Sequence, residues 1–326
     1  MEFPTALRAA VEQEAEKEGA SRLLSQAQAL SRRYRKESGR GRRLLTQGAE
    51  ATAYAAARMP ATFGACAAAM QYAAEVLPDF RPHTLLDAGA GTGAAAWAAE
   101  AVFHPESILC LEREPAMREL GQRLAQAGPP ALQSARWQAA DLTAGPLPQA
   151  ELVTAAYVLN ELPPAVLQTA AERLWQAARG LLLVVEPGTP AGFAVLRQVR
   201  ERLTGLGARI AAPCPHSGPC PMTGPDWCHF TCRVARSRLH RQLKGGEAPY
   251  EDEKFAYLAL CRPALLAGEP GGARVLRHPQ VAKGRIALTL CTAQGLEKRL
   301  ATRRDPAAFR QARGAKCGDR LLPADG

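Results

Sequence analysis

No apolar run in the chain reaches the roughly 18 residues needed to cross a bilayer, so no membrane partner is expected. The amino-terminal stretch MEFPTALRAAVEQEAEKEG has no apolar core behind a basic start, which argues against a secretory signal. Its glutamates argue equally against a mitochondrial transit peptide. These absences predict a cytoplasmic protein. No internal repeat is found. With 47% apolar and 22% charged residues the composition excludes wholesale disorder. Nine cysteines in a reducing compartment are not expected to form disulfides; buried thiols or metal ligands are the better reading. No C-x2-C pair occurs among them, so the common zinc ribbon is excluded.

At 326 residues the prior is near two domains, with ample length for a core. Lys and Arg total 41 against 31 Asp and Glu, a formal charge of +10 that favours a polyanionic partner. Composition divides the chain into five stretches. Residues 1–80 have helical spacing, including an apolar stripe of Leu23, Leu24, Ala27 and Leu30, and are expected to form a helical cap. A helical pattern over roughly 48–77 is expected to break or kink at Pro60. Residues 81–207 alternate helices with candidate strands at Thr84–Asp87, Ile108–Glu112, Ala135–Ala139, Leu152–Val158 and Leu181–Glu186. That order predicts right-handed crossovers and a mostly parallel α/β sheet, doubly wound in Rossmann-like fashion. Residues 208–250 form a Cys-rich insert, 251–296 the final strands (Lys254–Leu260 and Arg285–Thr292), and 297–326 a loose basic tail.

The run Leu85-Leu-Asp-Ala-Gly-Ala-Gly-Thr-Gly93 follows a strand and opens a helix. Its glycines let backbone approach a ligand at a helix amino terminus. The spacing fits a dinucleotide fingerprint loosely, so a nicotinamide competes with S-adenosylmethionine. The pattern Asp87-x-Gly89-Ala90-Gly91-x-Gly93 resembles the first motif of class I methyltransferases. Glu112 ends the second strand, where a carboxylate can take both ribose hydroxyls. Asp141 follows the third strand, a place for an acid near the adenine amino group, and Asn160 follows the fourth, near the methyl donor. No cysteine stands at the fourth or fifth strand end, which excludes a cytosine-C5 mechanism. Asn160-Glu-Leu-Pro163 has no aromatic behind it, which disfavours methylation of a flipped base's amine. Glu161 and Glu186 are the candidate bases, and catalytic residues are otherwise unassigned.

Cys214, Cys220, Cys228 and Cys232 crowd a 21-residue stretch with five prolines and two glycines. That composition fits neither a regular helix nor a central strand. Thiols at this density suggest an iron–sulfur cluster or zinc, and the spacing alone does not choose between them. The run Pro213-Cys-Pro-His216, Gly218-Pro-Cys-Pro221, Asp226-Trp-Cys-His-Phe230 and Arg233-x-x-Arg236 resembles a methyltransferase-like small-ribosomal-subunit assembly family, with mitochondrial members and bacterial relatives. The match extends to Arg58-Met-Pro-Ala-Thr62, Glu251-Asp-Glu-Lys-Phe255 and Ile286–Gly295. The resemblance implies a class I methyltransferase fold with a four-cysteine 4Fe–4S cluster on Cys214, Cys220, Cys228 and the distant Cys291. Cys232 is left as a neighbour, a choice that geometry must decide.

The resemblance also implies binding to small-subunit rRNA or a subunit precursor. Basic stretches at 32–43 (with Tyr34 as a stacking residue), at 233–244 and in the tail support an RNA partner. Arg233, Arg236, Arg238, Arg241 and Lys244 are the expected contacts in the second stretch. The expected protein is an assembly factor that binds S-adenosylmethionine and acts as an rRNA methyltransferase. The alternative is a non-catalytic rRNA-binding factor with structural cofactor and metal sites, with iron or redox sensing as an overlay.

Overall fold

The glycine loop lies at the carboxyl edge of a mixed sheet whose order is read from strand pairing in a computed structural model, which describes residues 2–37 and 48–322. Three helices come first: α1 (Thr5–Glu18), α2 (Ala20–Glu37) and α3 (Gly48–Ala74). There follow β1 (Thr84–Ala88), α4 (Ala94–Phe103), β2 (Ser107–Leu111), α5 (Pro115–Ala125), α6 (Pro130–Gln133), β3 (Arg136–Gln138), β4 (Ala150–Ala156), α7 (Pro164–Ala177), β5 (Ala178–Pro187), α8 (Pro190–Gly205) and β6 (Arg209–Ala212). The remainder comprises β7 (Phe230–Ala235), α9 (Arg238–Lys244), β8 (Tyr250–Cys261), β9 (Ala273–Val275), β10 (Gln280–Ala282), β11 (Arg285–Thr292), β12 (Gly295–Thr302), α10 (Pro306–Gly314) and β13 (Arg320–Leu321).

The main sheet runs β3-β2-β1-β4-β5-β8-β6, with β7 pairing the first half of β8. The first five strands are parallel, and β8 is antiparallel to its neighbours. This is the class I methyltransferase-like α/β fold. The apolar run of β5 is buried on both faces, as a covered central strand requires. Leu181, Leu183 and Val185 enter the core under α3, α4 and α5, and Leu182 and Val184 enter the core under α7 and α8.

Several expectations are corrected here. Helix α3 runs through Pro60 without interruption and is buried along nearly all its length against α4, β7 and β8. That burial outweighs the ~3 kcal/mol a helical proline costs. So α3 is a core helix rather than part of a detachable cap. In the predicted stripe, Leu23 is buried while Leu24 is exposed.

The Cys-rich stretch is not a self-contained insert, because its first residues form β6 of the main sheet and its last form β7 and α9. Only β8 of the two late strands belongs to that sheet. Arg285–Thr292 instead forms β11 of a second, antiparallel sheet with β9, β10, β12 and β13. The tail is not loose. β12 pairs β11 along its whole length, and Asp305 caps α10 by accepting from the Ala308 amide at 3.0 Å. Ala301, Ala312 and Leu321 anchor this segment in a small core with Val275, Ile286, Leu288 and Leu290. A count of basic residues misses those sparse apolar anchors.

Candidate functional site

The glycine loop owes its shape to backbone that only glycine tolerates well. Gly89, Gly91 and Gly93 all have positive φ, at 73°, 58° and 88°. A Cβ on Gly89 would stand 2.6 Å from Val158 Cγ2, so the loop packs directly on the residues after β4. The amides of Gly89 and Ala90 both donate to the Leu111 carbonyl, at 2.8 and 3.0 Å, which ties the loop to the end of β2. Glu112 then closes the loop. Its Oε2 accepts from the Gly91 amide and its Oε1 from the Glu114 amide, both at 2.8 Å.

Beside this loop lies a recess of about 810 Å³. Gly89, Gly91, Glu112 and Asp141 line it. Asp87, Ala90, Gly93 and Asn160 do not. Asp87 is buried beneath the loop, where Oδ1 accepts from Thr154 Oγ1 at 2.7 Å. Burial pushes its carboxyl up to about 7. Gly93 caps α4 with Trp137 close by, and Ala90 is buried in the loop. The Asn160 Oδ1 is buried without a partner among the described residues. Asp141 forms an Asx turn with Thr143, and those hydrogen bonds lower its pKa.

The structure adds residues that motif spacing did not single out. Tyr54 reaches the recess from α3, Met117 from α5, and Tyr157 and Val158 from the end of β4. Tyr54 lies too far along the chain for any local pattern to flag it. Tyr157 has a left-handed backbone with φ 57°, and its hydroxyl donates to Glu253 at 3.0 Å. Arg58 also approaches Glu253, at 3.7 Å.

Of the two candidate bases, Glu161 faces the recess, and burial raises its carboxyl to about 7. Glu186 does not line it. It is fully buried, and its Oε1 accepts from the amides of Leu159 (2.9 Å) and Asn160 (3.4 Å). Burial pushes it up to about 8, well above the ordinary 4.5. A carboxyl raised in the folded state contributes stability fully below about pH 4.5, and that stability is lost as pH rises through 8. Glu186→Gln is therefore expected to match the parent near pH 4.5 and to exceed it by about 5 kcal/mol at pH 9, as read by urea denaturation. A variant less stable at both pH values refutes this role.

The thiols form a second site on the other side of β8. Cys214, Cys220, Cys228 and Cys291 line one recess of about 560 Å³, together with Arg200, Tyr257 and Arg274. Cys232 is not among them. It lies on β7 against α3, where a Cβ on Gly64 would stand 3.3 Å from its Sγ. Two buried arginines order the proline-rich loop. Arg200 donates to the carbonyls of His216 and Gly218. Arg274 donates to Pro213 at 2.8 Å and to Gly318 at 2.7 Å, which joins the loop to the terminal sheet. Burial raises the Cys291 thiol to about 12 and that of Cys228 well above its usual value. For Cys214 burial also raises the pKa, against the pull of Arg200. Among the described residues, however, no three His, Cys, Asp or Glu side chains are grouped so as to hold a metal ion. The four thiols share a recess without closing on one ion.

The expected RNA face at 233–244 is largely neutralised from within. Arg233 makes a two-pronged pair with Asp252 at 2.8 and 3.0 Å. Arg236 and Lys244 both pair with Glu251, at 2.8 and 2.7 Å, with His240 at 3.4 Å. These contacts hold the Glu251 carboxyl far below the usual range despite its burial. Arg238 is exposed, and Arg241 is half-buried. The stretch 32–43, with Tyr34, lies outside the residues whose side chains are described.

The chain is 30% identical over 225 residues to human ribosome assembly protein METTL17, mitochondrial, covering 64% of this chain and 48% of that one. It is 23% identical over 298 residues to fission yeast Rsm22-cox11 tandem protein 2, mitochondrial, covering 74% of this chain and 38% of that one. The chain thus spans about half, or less, of the length of these curated relatives. Similar solved structures include a putative RNA methyltransferase, PH1948, from Pyrococcus horikoshii (11% identity, TM-score 0.41, covering 60% of this chain and 81% of that one). Another is magnesium protoporphyrin IX methyltransferase from Synechocystis PCC 6803 with bound SAM (14% identity, TM-score 0.41, covering 71% and 90%). The cytoplasmic expectation is overturned by the curated relatives, whose names place them in mitochondria and so point there rather than to the cytoplasm. An acidic amino terminus was too local a signal to set against them. The family described as mitochondrial small ribosomal subunit Rsm22 matches residues 48–322, which takes in both recesses and the terminal sheet, and the chain belongs to that family.

Proposed function

We propose that this protein assists assembly of the small ribosomal subunit by binding rRNA or a subunit precursor, holds S-adenosylmethionine in the glycine recess, and carries a 4Fe–4S cluster on Cys214, Cys220, Cys228 and Cys291. The observation that carries the reading is that the glycine recess and the four-thiol recess both fall within the stretch matching the small-subunit family. S-adenosylmethionine, when bound, supplies an electrophilic methyl group. Glu112 would exchange its loop amides for the ribose hydroxyls, and Asp141 would meet the adenine amino group. Gly89 and Gly91 keep the recess wall free of side chains. The Glu161 carboxylate would offset the positive charge of the sulfonium.

The donor set of the second recess fits an anionic sulfur cluster better than zinc. One zinc ion draws four thiolates to about 2.3 Å from a single point, whereas a cuboidal cluster takes each thiolate at a separate iron. The four thiols around one recess would supply the four ligands such a cluster needs. Buried Arg200 and Arg274 would balance the cluster's negative charge. The Tyr257 hydroxyl is buried there without a partner among the described residues, and could donate to sulfur.

One observation favours a non-catalytic role: Asn160, expected beside the methyl donor, is not among the residues lining the recess. The test is incubation of the purified protein with small-subunit precursors and methyl-labelled S-adenosylmethionine. Stable co-sedimentation with label in the rRNA supports the methyltransferase, and co-sedimentation without label supports the non-catalytic factor. Absence of co-sedimentation overturns both.

A further inference from the structure

Among the described residues, Glu251 and Asp252 already occupy three of the five cations at 233–244. A cluster of unpaired cations lies instead at one end of the terminal sheet. Between 280 and 304 the chain carries six Lys or Arg against one acid, Glu297. Strand register sets Arg285 opposite both Ala282 and Thr302, and the Arg303 amide donates to the Gly284 carbonyl at 3.4 Å. Lys283, Arg285, Arg303 and Arg304 therefore share that end, and all four are exposed. None of them makes an ion pair or a side-chain hydrogen bond among the described residues. The one acid is held by Arg299 at 2.8 and 3.0 Å, and neighbouring Asp305 is committed to capping α10.

The pleat extends this charge onto one face. Ile286, Leu288, Leu290 and Ala301 pack with α10, so the alternate residues Arg285, Ala287 and Thr289, with Lys298, Leu300 and Thr302 opposite them, point the other way. Lys298 is exposed there as a fifth cation.

Two further features select the partner. The exposed aliphatics Val281 and Leu300 pair with Ile286 and Ala287, neighbours in β11 that face opposite sides of the sheet. They form no continuous apolar patch for insertion into a lipid surface. No Phe, Tyr or Trp occurs between 280 and 304, so the face offers no platform for stacking unpaired bases. What remains is a set of unpaired cations spread over two strands, suited to a phosphate backbone.

We propose that this end of the terminal sheet, centred on Lys283, Arg285, Arg303 and Arg304, docks on the backbone of a double-stranded RNA segment. The inference rests on the rRNA reading above and names the surface and the form of RNA it takes. The test measures affinity of the full chain for a labelled RNA duplex of generic sequence and for one of its single strands, by fluorescence anisotropy across a salt series. The parent should prefer the duplex. The variant Lys283→Ala/Arg285→Ala/Arg303→Ala/Arg304→Ala should lose about 30-fold in duplex affinity near 100 mM salt, with a shallower salt dependence. Arg285→Lys/Arg303→Lys/Arg304→Lys should stay within about threefold of the parent, because a phosphate contact needs charge more than shape. Arg238→Ala/Arg241→Ala should also stay within about threefold.

A quadruple variant that binds like the parent overturns the proposal. So does a parent that prefers the single strand, or one whose affinity depends instead on Arg238 and Arg241; in each case the rRNA reading survives. Binding of neither RNA form by the parent defeats that reading and the proposal together. Binding of the parent to phosphatidylserine vesicles, but not to the duplex, overturns the proposal in favour of a membrane.

Discussion

Cys291→Ser is expected to abolish iron loading, while Cys232→Ser leaves it intact. After anaerobic reconstitution with iron and sulfide, the parent should hold about four irons per chain and absorb broadly near 400 nm, as a cysteine-ligated 4Fe–4S centre does. The serine variant at 291 should hold less than about one. The contrast follows from placement. Cys232 is only four residues from Cys228, yet it points at α3 from β7. Cys291 is 63 residues further along than Cys228, yet strand β11 delivers it to the same recess. A cluster spanning these residues would tie the proline-rich loop to the terminal sheet beyond what Arg274 already does, so its binding energy would also be folding energy. The loaded parent should therefore melt about 10 °C above Cys291→Ser carried through the same reconstitution, with the two untreated, metal-free proteins closely matched. Loss of iron in Cys232→Ser but not in Cys291→Ser would reverse the ligand assignment. Uptake of one zinc and no iron would replace the cluster with a single-ion site.

The second large effect is expected at the glycine loop. Gly91→Asp should weaken S-adenosylmethionine binding more than 100-fold, by about 3 kcal/mol, with only a modest fall in the melting temperature of the free protein from its left-handed backbone. A Cβ at this position meets nothing closer than Met117 Cε at 3.5 Å, so the fold has room for it. Aspartate is also among the side chains that best tolerate a left-handed backbone. Its carboxylate, however, would enter the recess beside Glu112, whose carboxyl burial already raises, and would compete for the Gly91 amide. Calorimetric titration checks the affinity. Unchanged binding would remove S-adenosylmethionine from this recess. The same variant separates two roles in assembly: if it still supports maturation of the small subunit, the cofactor is dispensable there.

Local chemistry made much of this legible in advance. The run of Leu181–Glu186 reads as a strand covered on both faces, and it is one. The glycine spacing after β1 reads as a ligand loop, and the positive φ values at 89, 91 and 93 are the backbone reason. Glu112 and Asp141 reach the recess because strand ends in a parallel sheet all open on one edge. Asp87 and Asn160 fall outside the recess lining because a motif marks where the chain is, not what each residue contacts. Asp87 is held under the loop by Thr154, and the Asn160 backbone amide is committed to Glu186.

Beyond that, contact between distant segments decided the outcome. Tyr54 enters the glycine recess only because α3 is buried across the sheet. Charge was the least readable property of all. The residues 233–244 are as basic as the sequence says, yet β8 lies antiparallel to β7 and presents Glu251 and Asp252 to them at pairing distance. Arg285 and Arg303 meet no such strand. Residue order specifies how many charges a segment carries and which backbone shapes it can adopt. Whether a charge stays available to a partner, or a thiol finds its companions, depends on which neighbours folding brings within a few ångströms.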